Sequence, residues 1–439
     1  LHVAGLHMDT ETSGETRGAD WFFAQRELVI EGGTVRWTDE QRQAEPLLLT
    51  DVRFVARNTG LRHGVRLDAT PPAGWGERFT LRGQFRQPLL SMRSGHWQTW
   101  DGQLYADLPY IDVTRLGQYV SLDARIREGN GALRVWADVD DGQIVGGAAD
   151  LGLDKVDVSL DKGLQPLVLR GVTGRLSGQL TADTLEFATT ALQFDTSDGL
   201  RWPGGNLWLQ HTPAKGRTPE HGALRADRLD LAALALIADR LPLGEASHRM
   251  LDAYAPRGLV EHIDLNWQGT LGAPDRYQAK GRVSGLRVAS QPGTAPQPAP
   301  ATPPAPAATT TTANAGASAA PPKVHAGTPG LSGATVDFDA THAGGTATLA
   351  IAQGTLEFPG VFEEPVIPID RLSAQLQWKL DNGNAQLQVS KLRFANVDAE
   401  GDAEASWRTS NPATSSSKGH YPGVLDLQGK LTRADGTRV

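Results

Sequence analysis

The sequence predicts a mostly β protein whose sheet is long, curved and largely antiparallel, and three observations predict it. The first is a recurring phrase of five residues in the order apolar, polar, Gly, polar, apolar. It stands at Leu81-Arg82-Gly83-Gln84-Phe85, Leu176-Ser177-Gly178-Gln179-Leu180, Trp267-Gln268-Gly269-Thr270-Leu271 and Leu427-Gln428-Gly429-Lys430-Leu431. In a strand, residues two apart share a face, so both apolar ends and the central Gly lie on one side. A Gly inside a strand weakens it and marks a bend or bulge. The second observation is the rhythm of turn dipeptides: Asn130-Gly131, Asp141-Gly142, Asp198-Gly199, Asn382-Gly383 and Asp435-Gly436. Between such signals lie alternating runs such as Leu133-Arg134-Val135-Trp136-Ala137-Asp138-Val139, the pattern of consecutive hairpins. The third is that helical spacing is confined to one short region, and no fixed coil length points to a parallel β-helix.

The elements follow in order. Residues 1–228 read as a first β segment. It opens on the aromatic patch Trp21-Phe22-Phe23, and a strand pair follows: Leu28 and Ile30 alternate on the way out, Gly32-Gly33 makes the turn, and Val35 and Trp37 alternate on the return. Residues 229–258 form a helical pair. Leu231, Leu234, Ile237 and Leu241 recur at helical spacing, with Asp230 at the N-cap and Pro242 as the stop. A second helix covers about 245–254 and is ended by Pro256 and Gly258. Strands resume over 259–290. Residues 291–330 are an Ala/Pro/Thr-rich insertion with almost no apolar bulk, so no core offsets the ordering entropy and disorder is predicted. Residues 331–439 return to strands, broken by a low-complexity loop at Thr414–Gly419.

Composition excludes several functions. The 439 residues carry 42 Lys and Arg against 50 Asp and Glu, a net charge of -8, so the basic footprint of a nucleic-acid binder is absent. With no Cys there is no disulfide framework and no thiolate metal site. The 11 His are scattered singly, His2 and His7 being the nearest pair, and read as surface or structural residues. Asp138-Val139-Asp140-Asp141-Gly142 resembles the start of a calcium loop but lacks the downstream Glu, and a hairpin turn explains it. There is no Gly-x-Ser-x-Gly elbow and no phosphate-cradling loop. The expectation is therefore no enzyme, no catalytic residues, no metal and no cofactor. Trp37, Trp136, Trp267 and Trp378 all fall in predicted strands, where they either fill a core or line an apolar groove. The chain begins at Leu1 with no apolar run of anchor length in its first 20 residues, and is expected to be a piece of a longer protein.

A set of phrases gives the chain a family resemblance. They are Asp20-Trp21 with Gln25-Arg26-Glu27-Leu28-Val29-Ile30, Val35-Arg36-Trp37-Thr38-Asp39-Glu40, Trp100-Asp101-Gly102-Gln103-Leu104-Tyr105 and Gly131-Ala132-Leu133-Arg134-Val135-Trp136. Leu241-Pro242-Leu243, Ala255-Pro256-Arg257-Gly258, Trp267-Gln268-Gly269, Pro329-Gly330-Leu331-Ser332-Gly333 and Phe394-Ala395-Asn396-Val397-Asp398-Ala399 continue it. In this order they resemble the YhdP family, AsmA-like envelope proteins of Gram-negative bacteria related to chorein-type lipid-transfer bridge proteins. The resemblance covers nearly the whole chain except the Ala/Pro/Thr-rich insertion. It implies an elongated β-groove of repeated units and a periplasmic location, with tethering to the inner membrane through a segment missing here. It further implies the movement of phospholipid between the inner and outer membranes, with phospholipid and unidentified envelope proteins as partners and no catalytic set to carry over.

On that reading, candidate groove-lining residues are the apolar sets of the alternating strands: Phe79, Leu81 and Phe85; Leu133, Val135 and Val139; Leu176 and Leu180; Leu265, Trp267 and Leu271; Leu376, Trp378 and Leu380; Leu387 and Val389. The alternation gives each strand a face but not its neighbour, and the same residues would serve a closed sandwich. Two other classes stay open: a structural envelope module that binds a protein partner along its sheet edges, and a polysaccharide-binding protein with Trp rings beside paired carboxylates.

Overall fold

The computed structural model describes residues 2–3, 6–7, 17–38, 46–91, 95–116, 125–181, 183–241, 245–292, 327–381, 384–410 and 423–435. The fold is mostly β: among the described residues 70% are in strands, which pair antiparallel, and there are four α-helices. Two compact units divide the chain: Leu1–His248 with Val260–Gly281, and Arg249–Leu259 with Arg282–Val439.

The first unit begins with a two-residue pair, β1 (His2–Val3) and β2 (Leu6–His7), then α1 (Arg17–Ala24). An open meander follows: β3 (Glu27–Trp37), β4 (Leu47–Thr59), β5 (Arg62–Thr70), β6 (Phe79–Arg86) and β7 (Asp101–Asp112). After the one-turn α2 (Val113–Leu116) come β8 (Arg125–Asp140), β9 (Gln143–Ser159), β10 (Leu167–Leu180) and β11 (Leu185–Thr196). The short β12 (Arg201–Trp202) pairs with the end of β11, whose other half pairs with β13 (Asn206–Thr212), and β13 pairs with β14 (His221–Asp230). Next come α3 (Leu231–Ile237), and then α4 (Glu245–Tyr254), β15 (Arg257–Thr270) and β16 (Ala273–Val288), each of which divides between the two units. In the second unit β17 (Gly330–Thr341), β18 (Gly344–Glu357), β19 (Val366–Asp381), β20 (Asn384–Ala395), β21 (Ala399–Arg408) and β22 (Val424–Ala434) pair successively.

Local chemistry explains the punctuation. Asp141 and Gly142 both take positive φ, +47° and +68°, the geometry of a primed two-residue turn whose twist suits flanking strands, and they join β8 to β9. Asp230 caps α3: its Oδ1 accepts from the backbone N–H groups of Ala232 and Ala233 at 2.9 and 3.0 Å. The helix is shorter than its periodicity predicts. It tightens after Ile237 into a 3-10 turn over Ala238–Arg240, so Leu241 lies beyond it, while Pro242 lies outside the described residues.

Two turn expectations are overturned. Gly32-Gly33 makes no hairpin, because Leu28, Ile30, Gly33 and Val35 all pair with the one strand β4, opposite Ala56, Phe54, Val52 and Leu49. The register slips on both sides of Gly33 and Gly32 has φ +68°, so the pair is a bulge that continues the strand. Asn130-Gly131 likewise lies inside β8, beside further register shifts. The Trp21-Phe22-Phe23 patch, read only as an approach to a strand, is helical in α1. The expected Asn382-Gly383 turn and the Thr414–Gly419 loop lie outside the described residues, as does 293–326 of the insertion. The insertion's two ends meet in a bridge, where Gln291 and Thr328 exchange backbone hydrogen bonds of 3.0 and 2.9 Å.

Each unit has its own core. In the first, Leu108, Val156, Leu169, Val172, Phe194 and Trp202 are buried together with Ala233 and Ile237 of α3. A smaller cluster gathers Leu49, Val52 and Ala69. In the second, Ala334, Ile351, Ile369, Leu372 and Ala374 are buried.

Candidate functional site

Pairing register turns the separate alternating strands into continuous surfaces. In the first unit, residues directly opposite one another run Ile30, Phe54, Leu67, Leu81, Ala106, Val135, Ala149, Leu176, Thr189, Leu207 and Ala226, from β3 to β14. Directly opposed residues of antiparallel strands share a face, so this is one apolar row, interrupted only by Thr189. The adjacent row reads Leu28, Ala56, Val65, Gly83, Leu104, Ala137, Gly147, Gly178, Phe187, Leu209 and Leu224. At about 4.8 Å per strand, each row measures on the order of 50 Å along the sheet.

The opposite face is ionic. One of its rows reads Arg53, Asp68, Thr80, Asp107, Arg134, Asp150 and Arg175. Arg175 donates to both oxygens of Asp150 at 2.6 and 2.9 Å, and this bond holds the Asp150 carboxyl below its ordinary range. Arg66 grips Asp68 at 2.8 and 3.0 Å and has the same effect on it, with Thr80 donating to Asp68 at 2.7 Å. Trp136 lies on this outer side, its ring 5.3 Å from Tyr105 and stacked under the Arg175 guanidinium at 5.1 Å. An exposed pair such as Arg175–Asp150 contributes about 0–1 kcal/mol.

Two structures cover parts of the apolar face. At one end α3 lies over β10 and β11 through Ala233 and Ile237. At the other, α1 covers the ends of β5 to β7. Phe23 meets the Trp100 ring at 4.6 Å, and Trp100 stacks on His63 at 3.9 Å, nearly parallel. Asn58 fastens α1 by donating to the Gln25 carbonyl at 2.7 Å, and its Oδ1 lies 2.8 Å from His63 Nδ1. Burial lowers the pKa of His63.

Between these covers the face is open. A trough of about 490 Å³ runs over β8 to β11, lined by Val135, Ala137, Gly147, Ala149, Leu176, Gly178, Leu180, Leu185 and Phe187 among others, none of them ionisable. Its rim keeps large apolar side chains in contact with solvent: Ile144 is 68% exposed, Leu180 57%, Leu185 48% and Phe187 38%. Such a patch on a soluble surface marks a binding site.

Most of the residues singled out from the sequence fall on the faces that carry such rows. Leu81, Val135 and Leu176 are in the first; Phe85 and Val139 both oppose Gly102; Leu133 sits between Leu108 and Leu151; Leu180 opposes Leu185; Phe79 opposes Ala69. In the second unit, Leu376 and Val389 share the row Phe338, Ala347, Leu376, Val389, Ala405, Leu427. Trp378 and Leu387 share the row Ala340, Gly345, Trp378, Leu387, Trp407, Leu425, and Leu380 opposes Ala385. Trp267 differs from its set. It is 4% exposed, and its ring lies where a side chain at Gly222 would stand, while Leu271 is exposed in the turn after β15. The floor residues Ala137, Gly147 and Ala149 carried no signal, because Gly and Ala hide the alternation that Leu and Val reveal. Leu185 and Phe187 do alternate in the sequence.

Among the described residues there is no group of three or more His, Cys, Asp or Glu placed to hold a metal, and no helix long and apolar enough to cross a membrane. No curated protein and no solved structure matches the chain. One family model does, the YhdP protein family, over residues 1–439. With that match over its whole length, the chain belongs to the YhdP family and is an AsmA-like envelope protein.

Proposed function

We propose that this chain is a periplasmic part of an AsmA-like protein that shields phospholipid acyl chains along its apolar sheet face as they pass between the inner and outer membranes, without catalysis. The observation that carries this reading is the pair of adjacent apolar rows that cross the first unit from β3 to β14 with a single polar interruption. Each methylene kept from water is worth about 0.8 kcal/mol, so a tail leaves a bilayer readily only if apolar contact replaces apolar contact at every step. A row broken by charged residues would impose a desolvation barrier at each break. Here the ionic row stands on the other face, and the two apolar rows carry no charged residue, Thr189 being their one polar member. The second unit repeats the construction over β17 to β22.

Purification followed by native mass spectrometry tests this. Phospholipid adducts are expected on the wild-type chain. Leu81→Asp and Val135→Asp each place a carboxylate in an apolar row, where desolvation costs several kcal/mol, and reduce adduct occupancy by about tenfold or more with circular dichroism unchanged. A wild-type chain free of lipid contradicts the proposal. So do variants that unfold instead of losing lipid, since those residues would then be closed-core packing.

A further inference from the structure

The central Gly of the second recurring phrase is a space-making residue, and the reason lies in what surrounds it. Several other strand glycines have a local cause, and Gly64 and Gly152, which have none, lie on the opposite face. Gly269 has φ +91°, and a side chain on Gly147 would run into the Trp136 carbonyl. At Gly83 the space is already filled by Phe85 and Val65, at 2.5 and 2.8 Å from where a Cβ would stand. Gly178 has none of these causes. Its φ is not positive, and the nearest atom to an added Cβ is the Glu186 carbonyl oxygen, at an ordinary 3.5 Å. Backbone conformation and close approach therefore both permit a side chain, and strand interiors disfavour Gly.

Gly178 sits in the floor of the trough. Leu176 and Leu180 flank it along β10, and Gly147 and Phe187 oppose it across the sheet. We infer that Gly178 is a specificity-determining position, a seat whose depth admits one uncharged alkyl chain lying across β9 to β11. The occupant is fixed by charge: no residue of the trough lining is ionisable, so nothing there pairs with a charged headgroup or a nucleotide phosphate. This inference rests on the lipid-shielding proposal and adds to it a point of tail contact and a limit on bulk.

The test uses the full chain and a 16-carbon fatty acid bearing a terminal nitrobenzoxadiazole fluorophore, titrated by fluorescence, with thermal unfolding in parallel. Gly178→Ala should bind within about twofold of wild type, and Gly178→Val and Gly178→Leu at least about tenfold more weakly, at an unchanged or raised Tm. Gly64→Val adds the same bulk to an outer-face glycine with comparable room, 3.8 Å to the Arg57 carbonyl oxygen, and should bind as wild type does. Equal binding by wild type and Gly178→Leu overturns the seat and leaves the lipid reading standing. Failure of wild type to bind the probe overturns both.

Discussion

Trp136 and Trp267 share a side chain and a strand context but have opposite surroundings. Trp136 stands on the ionic face between Tyr105 and Arg175, whereas Trp267 is buried over Gly222. Alternation places each on a face, but what lies above that face is decided by residues far away in sequence, so burial was not legible. The same holds for His63, a scattered histidine in the sequence and a buried ring stacked on Trp100 in the fold. Burial lowers its pKa from 6.5, so the folded state binds its proton less readily than the unfolded chain. Its contribution to stability is complete above about pH 6.5 and is lost as the pH falls below that value toward the folded pKa. Tm should therefore fall between pH 7.5 and 5.5 more for wild type than for His63→Gln, and equal slopes would contradict this. Asp198 behaves in the opposite chemical sense. The Thr196 hydroxyl and the Arg240 guanidinium, the latter at 2.8 Å, hold its carboxyl down to about 2. Its stabilising effect is present above the unfolded value of 3.8 and is lost as the pH falls through about 2. Carboxyl carbon NMR should find its midpoint near 2, rising in Arg240→Ala; an ordinary midpoint in wild type would contradict the contact.

At the level of elements, what was legible had a local cause. The Asp230 cap announces α3 because its carboxylate serves N–H groups two and three residues away. Asp230→Ala should cost about 1 kcal/mol, read as a lower urea midpoint at unchanged slope, while Asp230→Ser should retain most of the stability. Gly32-Gly33 misled because a Gly pair suits a turn and a bulge equally, and only the partner strand decides between them. Here Gly32 is at φ +68° with no atom within 4 Å of an added Cβ. Its need for Gly is thus one of backbone alone, and Gly32→Ala should cost about 1 kcal/mol, with Gly32→Asn costing less. The α1 helix had no legible signal: Gly18 and three consecutive aromatics make a weak helix, held in place through Phe23 on Trp100 and the Asn58 bond to Gln25.

For the molecule as a whole, both units build one apolar and one polar face from meanders of antiparallel strands, the polar face being ionic in the first unit and rich in Thr, Gln and Ser in the second. Strand composition made the two-facedness readable, since period-two alternation is a property of each strand alone. The rows were not readable. Whether Leu81 meets Ala106, and Ala106 meets Val135, depends on register, which a shift of one residue would invert. The bulges at Gly33 and in β8 are where such shifts are absorbed. On the proposed function one face, and not the other, carries acyl chains. This is tested most directly by placing photoreactive benzoylphenylalanine singly at positions 133 to 139 of β8, irradiating intact cells and recovering the chain for lipid mass spectrometry. Phospholipid adducts are expected at 133, 135, 137 and 139 and none at 134, 136 and 138. Adducts at every position alike, or at none, would contradict it.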